Sequence, residues 1–308
     1  MAEEVASEKE SFLKKLGVGA WIGIAVAALV IGVIVGHFAL GGGGAGGTLG
    51  KTSLTEAELN ATVATYVYGG KSQTITAREV LEQSTTLDAA KNDEGNYAVP
   101  AADAILTVAR NKVIIAEADS RNITVSDEEL SKYAEETLGS SDIASIASSY
   151  SMDEEMVKTL LRQSCQMSKL RSEVVTAETP EAPEAPTAPE VATTDADGNA
   201  LSDEAAAAAK EEANKKETAE YAQYIAKLAG DEWDESAGKF KSASGPYATA
   251  LTDYKVTKDA ASYEAAQAAY YVAYQAYSTA QSEVSTQWTD FVNGLLSKSS
   301  ISISTLIS

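Results

Sequence analysis

The run Val18–Leu40, VGAWIGIAVAALVIGVIVGHFAL, contains no Asp, Glu, Lys or Arg. As a helix rising about 1.5 Å per residue it is long enough to cross a hydrocarbon core of about 30 Å. A cleavable signal peptide has a shorter apolar region, about 7–15 residues, so a retained anchor is expected. Lys9, Lys14 and Lys15 precede the run, and the next basic residue is Lys51. This asymmetry predicts a single-pass cell-membrane protein with residues 1–17 as a cytoplasmic tail, 18–40 as the anchor and the bulk of the chain outside the cytoplasm.

Beyond the anchor, Gly41–Gly50 (GGGGAGGTLG) offers no side chains for a core, and residues 41–60 read as a flexible tether. Four prolines, Pro180, Pro183, Pro186 and Pro189, recur every third residue and favour an extended polyproline-type conformation. Residues 176–200 therefore read as a proline-rich acidic linker between two helical blocks, 61–175 and 201–308.

In the first block, Ala64–Tyr68 (ATYVY) is rich in strand formers and runs into Gly69-Gly70. Ser or Thr with Glu three residues later marks helix starts at Thr76/Glu79, Ser126/Glu129 and Ser151/Glu154. Ala101–Arg121 carries Ile105, Leu106, Val108, Val113, Ile114 and Ile115, too apolar for a helix standing in water, and is expected at the centre. Met156, Leu160, Met167, Leu170 and Val174 form one apolar seam over Asp153–Val175, with Cys165 as a packing residue on its flank.

In the second block, Ser202 caps an alanine-rich helix that runs on through Tyr221, Tyr224, Ile225 and Leu228, a set with one-face spacing. A final helix from about Asp259 to Ser297 carries Tyr263, Tyr270, Tyr274, Tyr277, Val284, Trp288, Phe291 and Leu295 on one heptad stripe, interrupted by Gln267 and Gln281. Such a stripe is either the seam that packs the helix or a surface for a partner. Ile301, Ile303 and Thr305 then alternate with serines, a strand pattern.

Chemistry is constrained by what the chain lacks. Its single histidine, His37, lies in the anchor, and its single cysteine is Cys165, so neither a histidine-dependent active site nor a cysteine metal cluster can be assembled. Forty-five acidic residues against 24 basic ones give a net charge of −21 and exclude nucleic acid as a partner. Gly70-Lys71-Ser72 imitates a phosphate loop, but Thr65 stands where its first glycine belongs. Asp195-Ala-Asp197-Gly-Asn199 imitates a calcium loop, but Ala200 and Ala206 replace the turn glycine and the bidentate glutamate. No cofactor, metal or catalytic residue is therefore expected.

The order VATYVYGGKSQTITAREV, then LTVARNKVIIAEADSRNITVSDEELSKYAEE, then SMDEEMVKTLLRQSCQMSKLRSEVV resembles the N-terminal domain of SurA-type and PrsA-type extracytoplasmic chaperones. The segment QWTDFVNGLLSKSSISI is similar to the closing helix and strand that return to that domain in the family. Where the family carries a parvulin-type prolyl isomerase domain, this chain has the proline-rich segment and helices rich in alanine and tyrosine, without a histidine. The resemblance implies a mainly α fold with a small two-stranded β element from strands near 64–68 and 301–305. It also implies a membrane-tethered chaperone that holds unfolded or secreted polypeptides without catalysis. The candidate client-binding residues are Tyr263, Tyr270, Tyr274, Tyr277, Trp288, Met156 and Met167, because aromatic and methionine side chains give large adaptable contact area. The alternatives are a cell-envelope scaffold that self-associates through the stripe, and a prolyl isomerase with an unfamiliar site.

Overall fold

The computed structural model describes residues 52–83, 86–150 and 152–304. The expected cytoplasmic tail, the expected anchor at 18–40 and the glycine run lie outside the described residues, as do Ser151 and Thr305. Among the described residues, no helix is long and apolar enough to cross a membrane. The protein is mainly helical with small antiparallel sheets, and it divides into two compact units. Of the described residues, the first comprises those up to Thr176 together with those from Ser285 onward, and the second is Ala177–Val284.

The first unit begins earlier than its glycine-rich approach suggests. Strand β1 (Ser53–Leu54) and a 3-10 turn over Glu56–Asn60 bury Leu54 and Leu59, so this part of the expected tether belongs to the fold. Two leucines at this spacing have apolar area enough to hold a short segment against the core. Strand β2 (Thr62–Tyr68) then turns into β3 (Lys71–Thr76) through Gly69 and Gly70, both at positive φ (58° and 75°). Paired Tyr68 and Lys71 flank a two-residue loop of the kind that needs left-handed residues at both central positions. The phosphate-loop lookalike is this hairpin turn.

Helix α1 (Ala77–Glu82) starts at the Thr76 capping box, and β4 (Tyr97–Ala98) pairs with β1. Helix α2 (Ala102–Ser120) is the central element, burying Ile105, Val108, Ala109, Val113, Ile114 and Ala118, while Leu106 faces out at 41% exposure. Helix α3 (Asp127–Leu138) starts at the Ser126/Glu129 capping box and ends on left-handed Gly139. Helix α4 (Ile143–Tyr150) follows, and α5 (Glu154–Val174) is capped by Asp153, whose carboxylate accepts from the backbone N–H groups of Glu155 and Met156.

The expected apolar seam of α5 is corrected. Its buried residues are Val157, Leu161, Ser164, Cys165, Met167 and Leu170, with Met156 and Leu160 only half-buried. The helix serves two cores in succession. Val157, Leu161 and Cys165 pack with Leu130, Tyr133 and Ile146 of α3 and α4, whereas Met167 and Leu170 join the core around α2. Two partners at different azimuths pull the buried face around the helix, which a single periodic stripe does not encode.

The second unit contains α6 (Asp203–Lys215), α7 (Ala219–Ala229), a hairpin of β5 (Trp233–Asp234) and β6 (Lys239–Phe240), and α8 (Pro246–Ala250). The helix expected to run on from Ser202 is two helices. It breaks at Lys216, and the Thr218 side chain caps a new start by accepting from the Tyr221 N–H. Helix α9 (Tyr263–Leu296) lends its first part to the second unit and its last part to the first.

Strand β7 (Ser300–Ile303) ends the described chain by pairing antiparallel with β2, in the register Ala64↔Ile303 and Tyr66↔Ile301. The β element is thus three-stranded in the order β3-β2-β7, and the expected two-stranded form is corrected by β3 on the other edge. Four of the six β3 residues are exposed, so β3 carries little strand signal of its own and is held by the ladder.

Charged groups join these elements. Glu117 of α2 accepts from the Tyr68 hydroxyl and from Arg121, and Arg121 also reaches Glu173 of α5 and lies 5.4 Å from the Phe291 ring. Glu129 is held down from 4.5 to about 2 by the hydrogen bond from Lys169, then by the Ser126 backbone and hydroxyl. A depressed carboxyl stabilises the fold above its unfolded value and loses that contribution as pH falls, here from about 4.5 toward 2. The group is exposed, so salt screens the effect. An NMR titration of Glu129 should give a low midpoint that Lys169→Met moves back up; an unchanged midpoint in that variant would refute the pairing.

Candidate functional site

The seven sequence candidates do not form one surface. Met167 is core, 7% exposed, and Met156 is half-buried on α5. Burial of Met167 beside Leu170 and Val113 removes it from any accessible binding face. Trp288 is half-buried against the first core and stacks on Phe291 with ring centroids 5.8 Å apart. Tyr263 packs at 5.6 Å from Tyr221 in the core of the second unit.

The remaining three tyrosines come together. Tyr270, Tyr274 and Tyr277 follow one another along α9 with centroid separations of 5.9 and 6.3 Å. Tyr271, a residue the heptad stripe does not include, joins them at 5.9 Å from Tyr270 and is 62% exposed, while Tyr274 is 49% exposed. The signal that could have found Tyr271 is its i, i+3 relation to Tyr274, which places both on one face independently of the heptad. Gln281, which interrupts the stripe, donates from its side chain to the Tyr277 hydroxyl, and Gln267 does the same for Tyr263.

Tyr271 and Tyr274 are exposed, and Tyr270 and Tyr277 only half-buried, because alanine, not tyrosine, forms the seam. Ala265, Ala266 and Ala269 are fully buried on α9 and pack with Tyr221, Ala222 and Ile225 of α7. Small residues let two helices approach closely, and the bulky rings are then carried to the flank. The bridge between Thr218 and Ala261 fixes the starts of the two helices side by side.

Beside this row, α7 presents Tyr221 and Tyr224, whose hydroxyls donate to the backbone carbonyls of Thr187 and Glu184 at 2.9 and 2.6 Å. Burial first, then the neighbouring Tyr270, Tyr247 and Glu184, pushes the Tyr224 hydroxyl up to about 12. Burial also raises Tyr221. Both phenols therefore remain protonated donors throughout the neutral range. The proline-rich segment expected to be a spacer is accordingly part of the second unit, held on it by side-chain hydroxyls.

Asp195–Asn199, the calcium-loop lookalike, is a tight turn. The Asp195 carboxylate accepts from the backbone N–H groups of Asp197 and Asn199, and Gly198 takes φ 83°. These bonds depress the Asp195 carboxyl, with the Asn199 backbone as the largest cause. Asn92–Asn96 repeats the arrangement, with the Asn92 side-chain oxygen accepting from Glu94 and Asn96 and with Gly95 at φ 77°. A side chain that closes its own turn is the local chemistry of Asn and Asp before glycine. Among the described residues, no group of three or more His, Cys, Asp and Glu side chains is arranged to hold a metal ion.

No protein-family model, curated protein or solved structure matches the chain.

Proposed function

We propose that this protein is a non-catalytic folding factor, tethered to the cell membrane by residues 18–40, that holds unfolded polypeptide on the tyrosine row of its second unit. The observation that carries the reading is the row itself: Tyr270, Tyr271, Tyr274 and Tyr277 in ring contact, with Tyr271 and Tyr274 the two most exposed large hydrophobic side chains described. Tyrosine offers an apolar face and a hydroxyl tip while losing few rotors on binding, which suits transient contact with varied sequences. The net charge of −21 supports the reading by keeping loaded complexes apart. The anchor supports it by confining the surface near the membrane.

The test is aggregation suppression by the full chain in detergent micelles, using a reduced unfolded substrate. Each exposed ring is worth about 1 kcal/mol of contact, so Tyr271→Ser with Tyr274→Ser should raise the concentration needed for suppression about 10-fold or more. Both side chains are exposed, so circular dichroism should stay unchanged. Suppression that survives intact in the folded double variant would overturn the reading. A full chain that sediments as an oligomer and dissociates in that variant would put self-association through the row, and with it the scaffold reading, in its place.

A further inference from the structure

We propose that the face of α7 carrying Tyr221 and Tyr224 is a binding site for extended, proline-rich polypeptide, and that residues 183–189 of the chain occupy it in cis as a competing strap. This inference rests on the reading of the second unit as a polypeptide binder, and names the class of segment taken beside the tyrosine row.

A polyproline-type helix has three residues per turn and no internal hydrogen bonds, so residues three apart share an edge and every carbonyl needs a partner elsewhere. Pro183, Pro186 and Pro189 are each half-buried, whereas the residues between them are all exposed. One proline edge is thus laid on the protein for two consecutive turns. The carbonyls of Glu184 and Thr187 are also three apart, and each accepts a tyrosine hydroxyl. Tyr221 and Tyr224 stand three apart on one helical face. The pairing order is reversed, Tyr221 with Thr187 and Tyr224 with Glu184, so the strap runs antiparallel to α7.

The hydrogen bonds are made to backbone carbonyls and the prolines are the half-buried residues, while Glu184 and Thr187 themselves are exposed. The site therefore reads the repeat and the extended backbone, not the residues between the prolines. Rings that pack against an aromatic face while hydroxyls satisfy the carbonyls are a general solution for such ligands, because the extended helix is already formed before it binds. Any polypeptide with prolines every third residue presents the same groups. The strap has the advantage of attachment, with an effective concentration on the order of millimolar, so a separate ligand gains access only when the strap is weakened or outcompeted.

The probe is a labelled peptide with the sequence of residues 179–191, TPEAPEAPTAPEV, titrated into the full chain in micelles and followed by fluorescence anisotropy. In a chain carrying Pro183→Ser, Pro186→Ser and Pro189→Ser, the peptide should bind about 10-fold or more tighter than to the wild type. Adding Tyr224→Phe, which keeps the ring and removes the donor, should weaken that binding about five-fold. A folded strap variant that binds no better than wild type would overturn the competition, and undiminished binding after Tyr221→Phe with Tyr224→Phe would overturn the site. Should the strap variant fold poorly, the wild type provides the second measurement. Millimolar peptide should speed cleavage after Glu184 by a glutamate-specific protease, and an unchanged rate would overturn the proposal. Aggregation suppression of a proline-free client in the same preparations separates the two readings. Suppression without peptide binding overturns the proline site and leaves the tyrosine row standing, whereas peptide binding without suppression supports the site and overturns the row.

Discussion

Replacing Leu170 by alanine is expected to lower the stability of the first unit by about 3–4 kcal/mol, because the side chain is fully buried and its neighbours cannot close the space. Leu170 lies where α5 meets α2, in the cluster that also holds Ile105, Val108 and Val113. Removing its branched end takes away transfer energy and leaves a cavity bounded by elements fixed through the sheet. The control is Leu106→Ala on α2, which faces out and should cost less than about 1 kcal/mol. Amide hydrogen exchange of α2 measures both, since a global loss of stability appears as faster exchange of its central amides. Equal effects from the two leucines would mean that this packing of α5 on α2 is wrong.

Ending the chain after Ser299 is expected to cost about 3–5 kcal/mol, from the uncovered apolar area of two isoleucines and the lost ladder. The deletion removes β7, so Ala64, Thr65, Tyr66 and Val67 lose their partners on one edge of β2. It also strips Ile301 and Ile303 from the first core, where both are packed. A chain ended after Ser304 keeps β7 and is the control. The truncated protein should show faster exchange of the β2 amides and a greater tendency to associate, because an unpaired strand edge is a template for another chain. Unaltered protection of β2 would show that the last strand does not close this sheet.

The two predictions fall on opposite sides of what could be read without coordinates. The strand near residues 301–303 is visible as strict alternation of isoleucine and serine, and it pairs with the strand at Ala64–Tyr68 as expected. Leu170 sits on an apolar periodicity that any reading would find, yet the neighbouring positions Met156 and Leu160 belong to the same periodicity and are not buried. Spacing gives the helix and its apolar content. It does not give the azimuth of a helix that packs on two clusters in turn.

The candidate site shows the same division. That α9 would carry a tyrosine-rich stripe is plain in the sequence, but Tyr263 and Trp288 from that stripe pack against cores while Tyr271, outside it, is the most exposed of the large hydrophobic side chains described. The deciding residues are Ala265, Ala266 and Ala269, which look unremarkable in a chain rich in alanine and become the seam only because α7 lies on them.

What the sequence determined by itself is local. The starts at Thr76, Ser126 and Ser202 are set by side chains within three residues of the N–H groups they satisfy, and the Gly69-Gly70 turn by two residues that tolerate positive φ. The three-residue proline period likewise sets an extended segment with one repeating edge. Only the tertiary structure decided that Lys71–Thr76 is a strand, that the seam residues of α9 are alanines, and that the proline-rich segment is held by two tyrosine hydroxyls. Each of these depends on a partner distant in sequence. A hydrogen bond or buried face supplied from afar leaves no mark in the spacing of the residues that receive it.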